Sequence, residues 1–455
     1  MDKILGTSET VVRNEYSAET DPREILRTAP MSRNQIYGII ITGLLSALDG
    51  YDLLATAFVA PALAAQFGVG PGGLGILLSS GLAGTLFGAF LLAPLADSVG
   101  RKPIVLISLL ILILGMAASA VCDSLTQLAI VRLFTGIGIG AMMVIVNPIS
   151  AELSNARNRA FVIAIKAIGF PIGGAIAGGL AALLVAPLGW QSIFIIGAVS
   201  GIALVPLVIW KLPESISYLY ERRPAGALHK INVVLRQFGH KPLKELPAAP
   251  SNSSVPYLAI FDARHFVGTL SASLFCLLSW IAIFFFLSWQ TKMLVDAGLS
   301  MAQAAAISGT SSLSGAAGVL FFAFAARRFN ERLLSVASVF GLGIAIIAFG
   351  LMPASVWALG ATAIVVGGFI TGATVALYVV TTGVFEARML ATGSGFVIGI
   401  GRIGSAIAPW LAGVLFTLEL ERASVTAIMG AFAIAAGLIM WFMPRLKSEA
   451  SAVKL

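Results

Sequence analysis

A chain of 455 residues in which 58% of side chains are hydrophobic and 11% charged is no soluble globular protein, where about a quarter of residues carry charge. A mean hydropathy of +0.95 cannot come from one large soluble core, because such cores stop growing beyond about 300 residues; the composition is that of an all-α, polytopic membrane protein. The formal net charge of +8 would by itself suit nucleic acid, but its distribution along the chain argues against that partner.

Residues 1–34 are polar and mixed in charge and read as a cytoplasmic tail, not a cleaved signal peptide. A span needs roughly 20 apolar residues, and twelve such runs follow, near 35–62, 74–96, 103–122, 127–149, 160–186, 191–211, 265–289, 301–326, 332–352, 356–383, 391–418 and 424–443. Short connections rich in turn formers join them, such as Gly70-Pro71-Gly72-Gly73. The exception is 212–264, a long polar stretch divided by six prolines from Pro213 to Pro256. The predicted organisation is two six-helix bundles, 35–211 and 265–443, with a cytoplasmic linker 212–264 and a cytoplasmic tail 444–455. The 48 glycines suit close helix packing in lipid. Cys122 and Cys276 lie in or beside apolar runs and suggest neither a disulfide framework nor a metal site.

Counting Lys and Arg sets the orientation. Of 29 such residues, Lys292 and Arg422 fall outside, Arg132, Lys166 and Arg402 lie within spans, and the other 24 are cytoplasmic when the N-terminus is inside. An even number of spans then puts both termini in the cytoplasm. The basic excess is topological, and no nucleic-acid partner is expected.

Ionisable groups inside spans are costly and call for a reason. Asp49 and Asp52 stand in the first run, about 20 Å along a helix that starts near Gln35, which places them near the midplane. Positions i and i+3 share a helix face, so both are expected to line one water-accessible path. An apolar setting and a second carboxylate each favour the neutral carboxyl, so at least one is expected to carry a proton near neutral pH; a helix cap or a permanent Arg partner is the alternative. Arg402, flanked by Gly399, Gly401 and Gly404, has room to present its planar fork to a carboxylate, or to pair with an Asp of the other half. Arg388 is a second candidate for substrate, or a basic anchor at the rim. Lys166, about two turns into the fifth run, adds positive potential for an anion or snorkels to the interface. Trp280 and Phe284 in the seventh run, with Tyr51 and Tyr378, are candidate ring contacts. Glu152 at the inner end of the fourth run is expected to pair with Arg101, Arg157 or Arg159. There is no P-loop for ATP, and no cofactor is implied.

Several motifs carry a resemblance. Ala93-Pro-Leu-Ala-Asp-Ser-Val-Gly-Arg-Lys102, between the second and third runs, resembles the signature G-x-L-a-D-r-x-G-R-K of the major facilitator superfamily, with Leu95, Asp97, Gly100, Arg101 and Lys102 matching. A weaker echo, Ala323 to Arg332, lies between the eighth and ninth. Arg132-Leu-Phe-Thr-Gly-Ile-Gly-Ile-Gly140 resembles its fourth-span motif, Gly169-Phe-Pro-Ile-Gly-Gly174 its fifth span, and Pro213-Glu-Ser215 its sixth-span end. Asp49-Gly50-Tyr51-Asp52 resembles the D-G-x-D motif of the aromatic acid:proton symporter family, whose seventh and eleventh spans are similar to Phe286–Gly298 and Gly399–Gly404. Lys166, Gln290-Thr291-Lys292 and Phe385-Glu386 depart from that pattern.

The resemblance implies the major facilitator fold, two pseudo-symmetric six-helix bundles rocking around a midplane site, as a monomer in a bacterial inner membrane. It implies import of an aromatic carboxylate of the benzoate or hydroxybenzoate kind, with protons and the proton gradient as its drive. Asp49 and Asp52 would couple protons, Arg402 would take the anion's carboxylate, and Asp97, Gly100, Arg101, Lys102, Arg132 and Glu152 would gate. Alternatives are symport of another organic anion (a dicarboxylate, muconate or a sugar acid), drug:proton antiport, against which Arg402 argues, and a non-transporting membrane sensor.

Overall fold

The computed structural model describes residues 21–247, 260–262, 265–386 and 389–443, all-helical in its regular elements. Among the described residues twelve helices are long and apolar enough to cross a membrane: Arg33–Phe67, Pro71–Val99, Arg101–Ser119, Leu125–Glu152, Arg159–Leu188, Gln191–Lys211, Phe266–Asp296, Met301–Ala325, Glu331–Leu351, Val356–Val384, Thr392–Thr417 and Arg422–Phe442. They are called the first to twelfth spans below. Equivalent capping boxes start the first span (Ser32 with Gln35) and the eighth (Ser300 with Gln303). Gln35 also donates to Leu153 O at 3.1 Å and ties the start of the first span to the end of the fourth.

The halves repeat one packing scheme. First on fifth is matched by seventh on eleventh, second on fourth by eighth on tenth, and third on sixth by ninth on twelfth. Backbones meet closely at these crossings, as small residues allow without a solvent-driven force between helices. Between the bundles the second span packs on the eleventh and the fifth on the eighth. The closest of these approaches lie at the end away from the basic loops. A Cβ on Gly75 would stand 2.9 Å from Pro409 O, and one on Gly178 would stand 2.5 Å from the Gly309 Cα. At the same end the Trp410 N–H donates to Ser79 Oγ at 2.8 Å, and Trp289 Nε1–H donates to Pro409 O at 3.0 Å.

The second span is irregular toward the basic end, with a π turn at Gly88–Leu92 and a 3-10 turn at Ala93–Leu95. Its loop into the third span turns at Gly100 (φ +115°), where a Cβ would also meet Glu214 Oε2 at 2.6 Å. Only glycine serves both demands.

Two segments expected to be irregular are helical. In the stretch 212–264, Ser215 caps a helix Ile216–Arg222, and a second helix, Ala227–Gln237, buries Ile231, Val234 and Leu235. Pro213 and Pro224 precede these helices, where a proline breaks nothing. In the N-terminal segment, Asp21 caps a helix Pro22–Thr28 with Ile25 and Leu26 buried. Its exit is pinned to the fourth-to-fifth loop: Ala156 N–H donates to Arg27 O at 2.8 Å and Asn155 Nδ2 to Ala29 O at 3.1 Å. Arg23 also pairs with Glu221 of the helix Ile216–Arg222 at 2.8 Å, so the segment is held to both the first bundle and the linker and not left as a free tail.

Candidate functional site

The crossing of the first and fifth spans fixes the centre of the molecule. A Cβ on Gly50 would come 2.1 Å from Phe170 O, and one on Gly173 would come 1.8 Å from Ala47 O. This contact carries Asp49 and Asp52 on either side of Gly50. Asp49 is 3% exposed; it accepts no hydrogen bond among the described residues, and its Oδ1 is fully enclosed. Lys166 lies one turn before Phe170 on the same face of the fifth span. It is half-buried and makes no hydrogen bond or ion pair among the described residues.

Arg402 reaches the same region from the eleventh span. It is 8% exposed, has no carboxylate within 4 Å among the described residues, and lies over the Trp280 ring at 5.6 Å. Asp49, Lys166 and Arg402 act on one another electrostatically, and Tyr378 acts on Arg402. Trp280 in turn packs on Phe284 at 5.5 Å between centroids. Tyr378 is 55% exposed, whereas Arg402 beside it is buried. Two cations, one carboxyl without a partner and a tilted aromatic pair therefore meet between the bundles. An aromatic anion finds charge, stacking surface and a proton acceptor there.

Asp52 does not share this position, although i+3 spacing suggested that it would. Three residues rotate a helix by about 300°, so the two carboxyls diverge by about 60°. Asp52 turns to the fourth span and pairs with Arg132 Nη1 at 2.7 Å, both side chains buried. Arg132 also donates to Thr135 Oγ1 at 3.1 Å and lies over the Phe194 ring at 5.0 Å, while its Nε has no partner among the described residues. A small cavity between the bundles is walled by Asp52, Arg132 and Thr56 on one side and by Phe284 and Ser288 on the other.

Tyr51 is a correction. It was expected to meet substrate, but it is buried within the first bundle and its hydroxyl donates to Ile193 O at 2.7 Å. One residue on from Gly50, it points to the sixth span and away from the interface. Arg388 lies outside the described residues.

A model of the Major Facilitator Superfamily matches residues 40–292. A gallate transporter of Pseudomonas putida is 30% identical over 92% of this chain and 94% of its own. The chain belongs to the Major Facilitator Superfamily. This facilitator is thus a multi-pass membrane transporter and not an enzyme. The 4-hydroxybenzoate transporter PcaK of Acinetobacter baylyi is 29% identical, over 91% of this chain and 93% of its own. The fold matches the xylose transporter XylE of E. coli in a partially occluded inward-open form, with TM-score 0.73 and 17% identity over 92% of this chain and 99% of that one.

The facilitator signature loop forms a second cluster, at the basic end. Glu214 Oε1 accepts the N–H groups of Arg101 at 2.9 Å and Lys102 at 3.2 Å and so caps the third span. Arg101 pairs with Glu152, whose other oxygen accepts from Ser215 Oγ at 2.6 Å, and Lys102 Nζ donates to Ile209 O at 2.7 Å. Asp97, a gating candidate by resemblance, is exposed and makes no hydrogen bond or ion pair among the described residues. Glu214, from the end of the sixth span, caps the third span instead. The signal was present in Pro213-Glu-Ser215: an acid straight after a span-ending proline has no membrane position to explain it.

Proposed function

We propose that this facilitator imports an aromatic carboxylate together with protons, by alternating access across a bacterial inner membrane. The observation that carries the reading is the carboxyl of Asp49, with Oδ1 enclosed, beside Lys166 and Arg402, all three without an ion-pair or hydrogen-bond partner for their charged groups among the described residues. The relatives named for gallate and 4-hydroxybenzoate favour an aromatic acid as the anion. In this mechanism Arg402 takes the substrate carboxylate, Trp280, Phe284 and Tyr378 its ring, and Asp49 the proton. Protonation removes a negative charge that would repel the incoming anion. Asp52 holds Arg132 in a buried pair, and its protonation frees that guanidinium, giving a second point of proton control. The basic loops face the cytoplasm, as the Lys and Arg count requires, so both termini are cytoplasmic. The bundles then close at the outer end and part toward the inner end, an inward-facing state. The proton gradient is the drive, with no cofactor.

Uptake of labelled 4-hydroxybenzoate or gallate by proteoliposomes under an imposed pH gradient is the direct measurement. Accumulation collapsed by a protonophore is expected; accumulation that persists with the gradient dissipated defeats the proton coupling.

A further inference from the structure

We infer that the favoured substrate is an aromatic acid with two carboxylates, one taken by Arg402 and the other by Lys166. This rests on the reading that the interface site binds an aromatic acid. An aromatic monocarboxylate satisfies only one of the two cations there. Arg402 offers a planar fork suited to a bidentate carboxylate, whereas the Lys166 ammonium is a compact point charge suited to one oxygen. Lys166 does not spend its charge elsewhere: it makes no hydrogen bond or ion pair among the described residues, although Asp49 lies close enough to act on it. Asp49 in turn accepts no hydrogen bond from it. With Asp49 protonated, the site holds two positive charges and no negative one, and a dianion matches it charge for charge. A monoanion leaves one cation uncompensated in a poorly solvated place, which is costly.

The two cations also stand on opposite bundles, Lys166 on the fifth span and Arg402 on the eleventh. A dianion would therefore join the two halves, whereas a monoanion would hold to one. Lys166 becomes the residue that sets specificity, and the fifth span a direct wall of the site.

The test is calorimetric titration of the purified protein with benzoate and with phthalate, isophthalate and terephthalate. At least one dicarboxylate should bind about tenfold or more tighter than benzoate, the worth of one added charge-assisted contact. Lys166→Met should collapse that ratio toward one, while Lys166→Arg, which keeps the charge, should retain a preference; melting temperatures check that both variants fold. A wild-type ratio near one, or a ratio unchanged in folded Lys166→Met, overturns the inference and leaves the aromatic-acid reading standing. Failure of all four acids to bind overturns both.

Discussion

Asp49 and Asp52 are chemically identical and three residues apart, and their surroundings assign them different work. Asp52 has a guanidinium 2.7 Å away and is 1% exposed, so it belongs to a buried ion pair. Breaking such a pair from one side leaves an uncompensated buried charge, at a cost of ~3–5 kcal/mol. Asp49 has no hydrogen-bond partner to lose among the described residues. Asp52→Asn is therefore expected to lower the melting temperature of the purified protein clearly, and Asp49→Asn to leave it near the wild-type value while abolishing proton-driven accumulation. Normal accumulation by Asp49→Asn would remove Asp49 from the coupling role. That two acids inside a span needed a reason was legible in the sequence, and so was Arg402 as an unusual intramembrane cation. Which acid pairs with Arg132 was not, because the answer depends on a 60° difference in direction and on a partner 80 residues away. Tyr51 misled for the same reason. A hydroxyl in a span does seek a polar partner, but a backbone carbonyl of the sixth span satisfies it as well as a ligand would.

Between helices the decisive contacts are close crossings of small residues. The twelve spans were readable from apolar runs alone, to within a few residues at most ends. Their partners were not, since 48 glycines say that close approaches exist without saying which pair makes each one. The helices at Pro22–Thr28 and Ala227–Gln237 were hidden by polar and proline-rich surroundings that dominate a window average. The second-to-eleventh crossing gives a direct test of the closure at the end away from the basic loops. A Cβ on Gly72 would lie 3.1 Å from Thr417 Oγ1, and disulfide-linked Cβ atoms lie about 3.8 Å apart. Gly72→Cys with Thr417→Cys, in a Cys122→Ser, Cys276→Ser background, should cross-link under mild oxidant and stop uptake, with recovery on reduction. A cross-linked protein that still transports would show that this end need not open. The native thiols should interfere little in any case: Cys276 is buried, and burial pushes the Cys122 thiol up.

At the scale of the whole molecule, the end where the bundles meet most closely and the basic end hold different contacts. The helix Pro22–Thr28, the linker helices and the Arg101–Glu152–Glu214 cluster all fasten to the first bundle, so that half carries its basic-end apparatus as one piece. Access to the site should therefore come from the basic side. Tyr378→Cys, in the same cysteine-substituted background, should react with a membrane-impermeant thiol reagent in inside-out vesicles and much less in right-side-out ones. Equal labelling from both sides, or the reverse preference, would count against an inward-facing state with a cytoplasmic basic end.

The bond from the Trp410 N–H to Ser79 Oγ fastens the two bundles at the end away from the basic loops. Its donor is a main-chain group inside a helix, and the helical pattern offers the same N–H the carbonyl one turn back, at residue 406. When the bundles part, the hydrogen can return to its own helix, and the serine hydroxyl has carbonyls of its own span within reach. No polar group is stranded in hydrocarbon by the movement. A fastening that exchanges one satisfied arrangement for another is nearly isoenergetic, and a carrier that must cycle many times per second requires that of its seals.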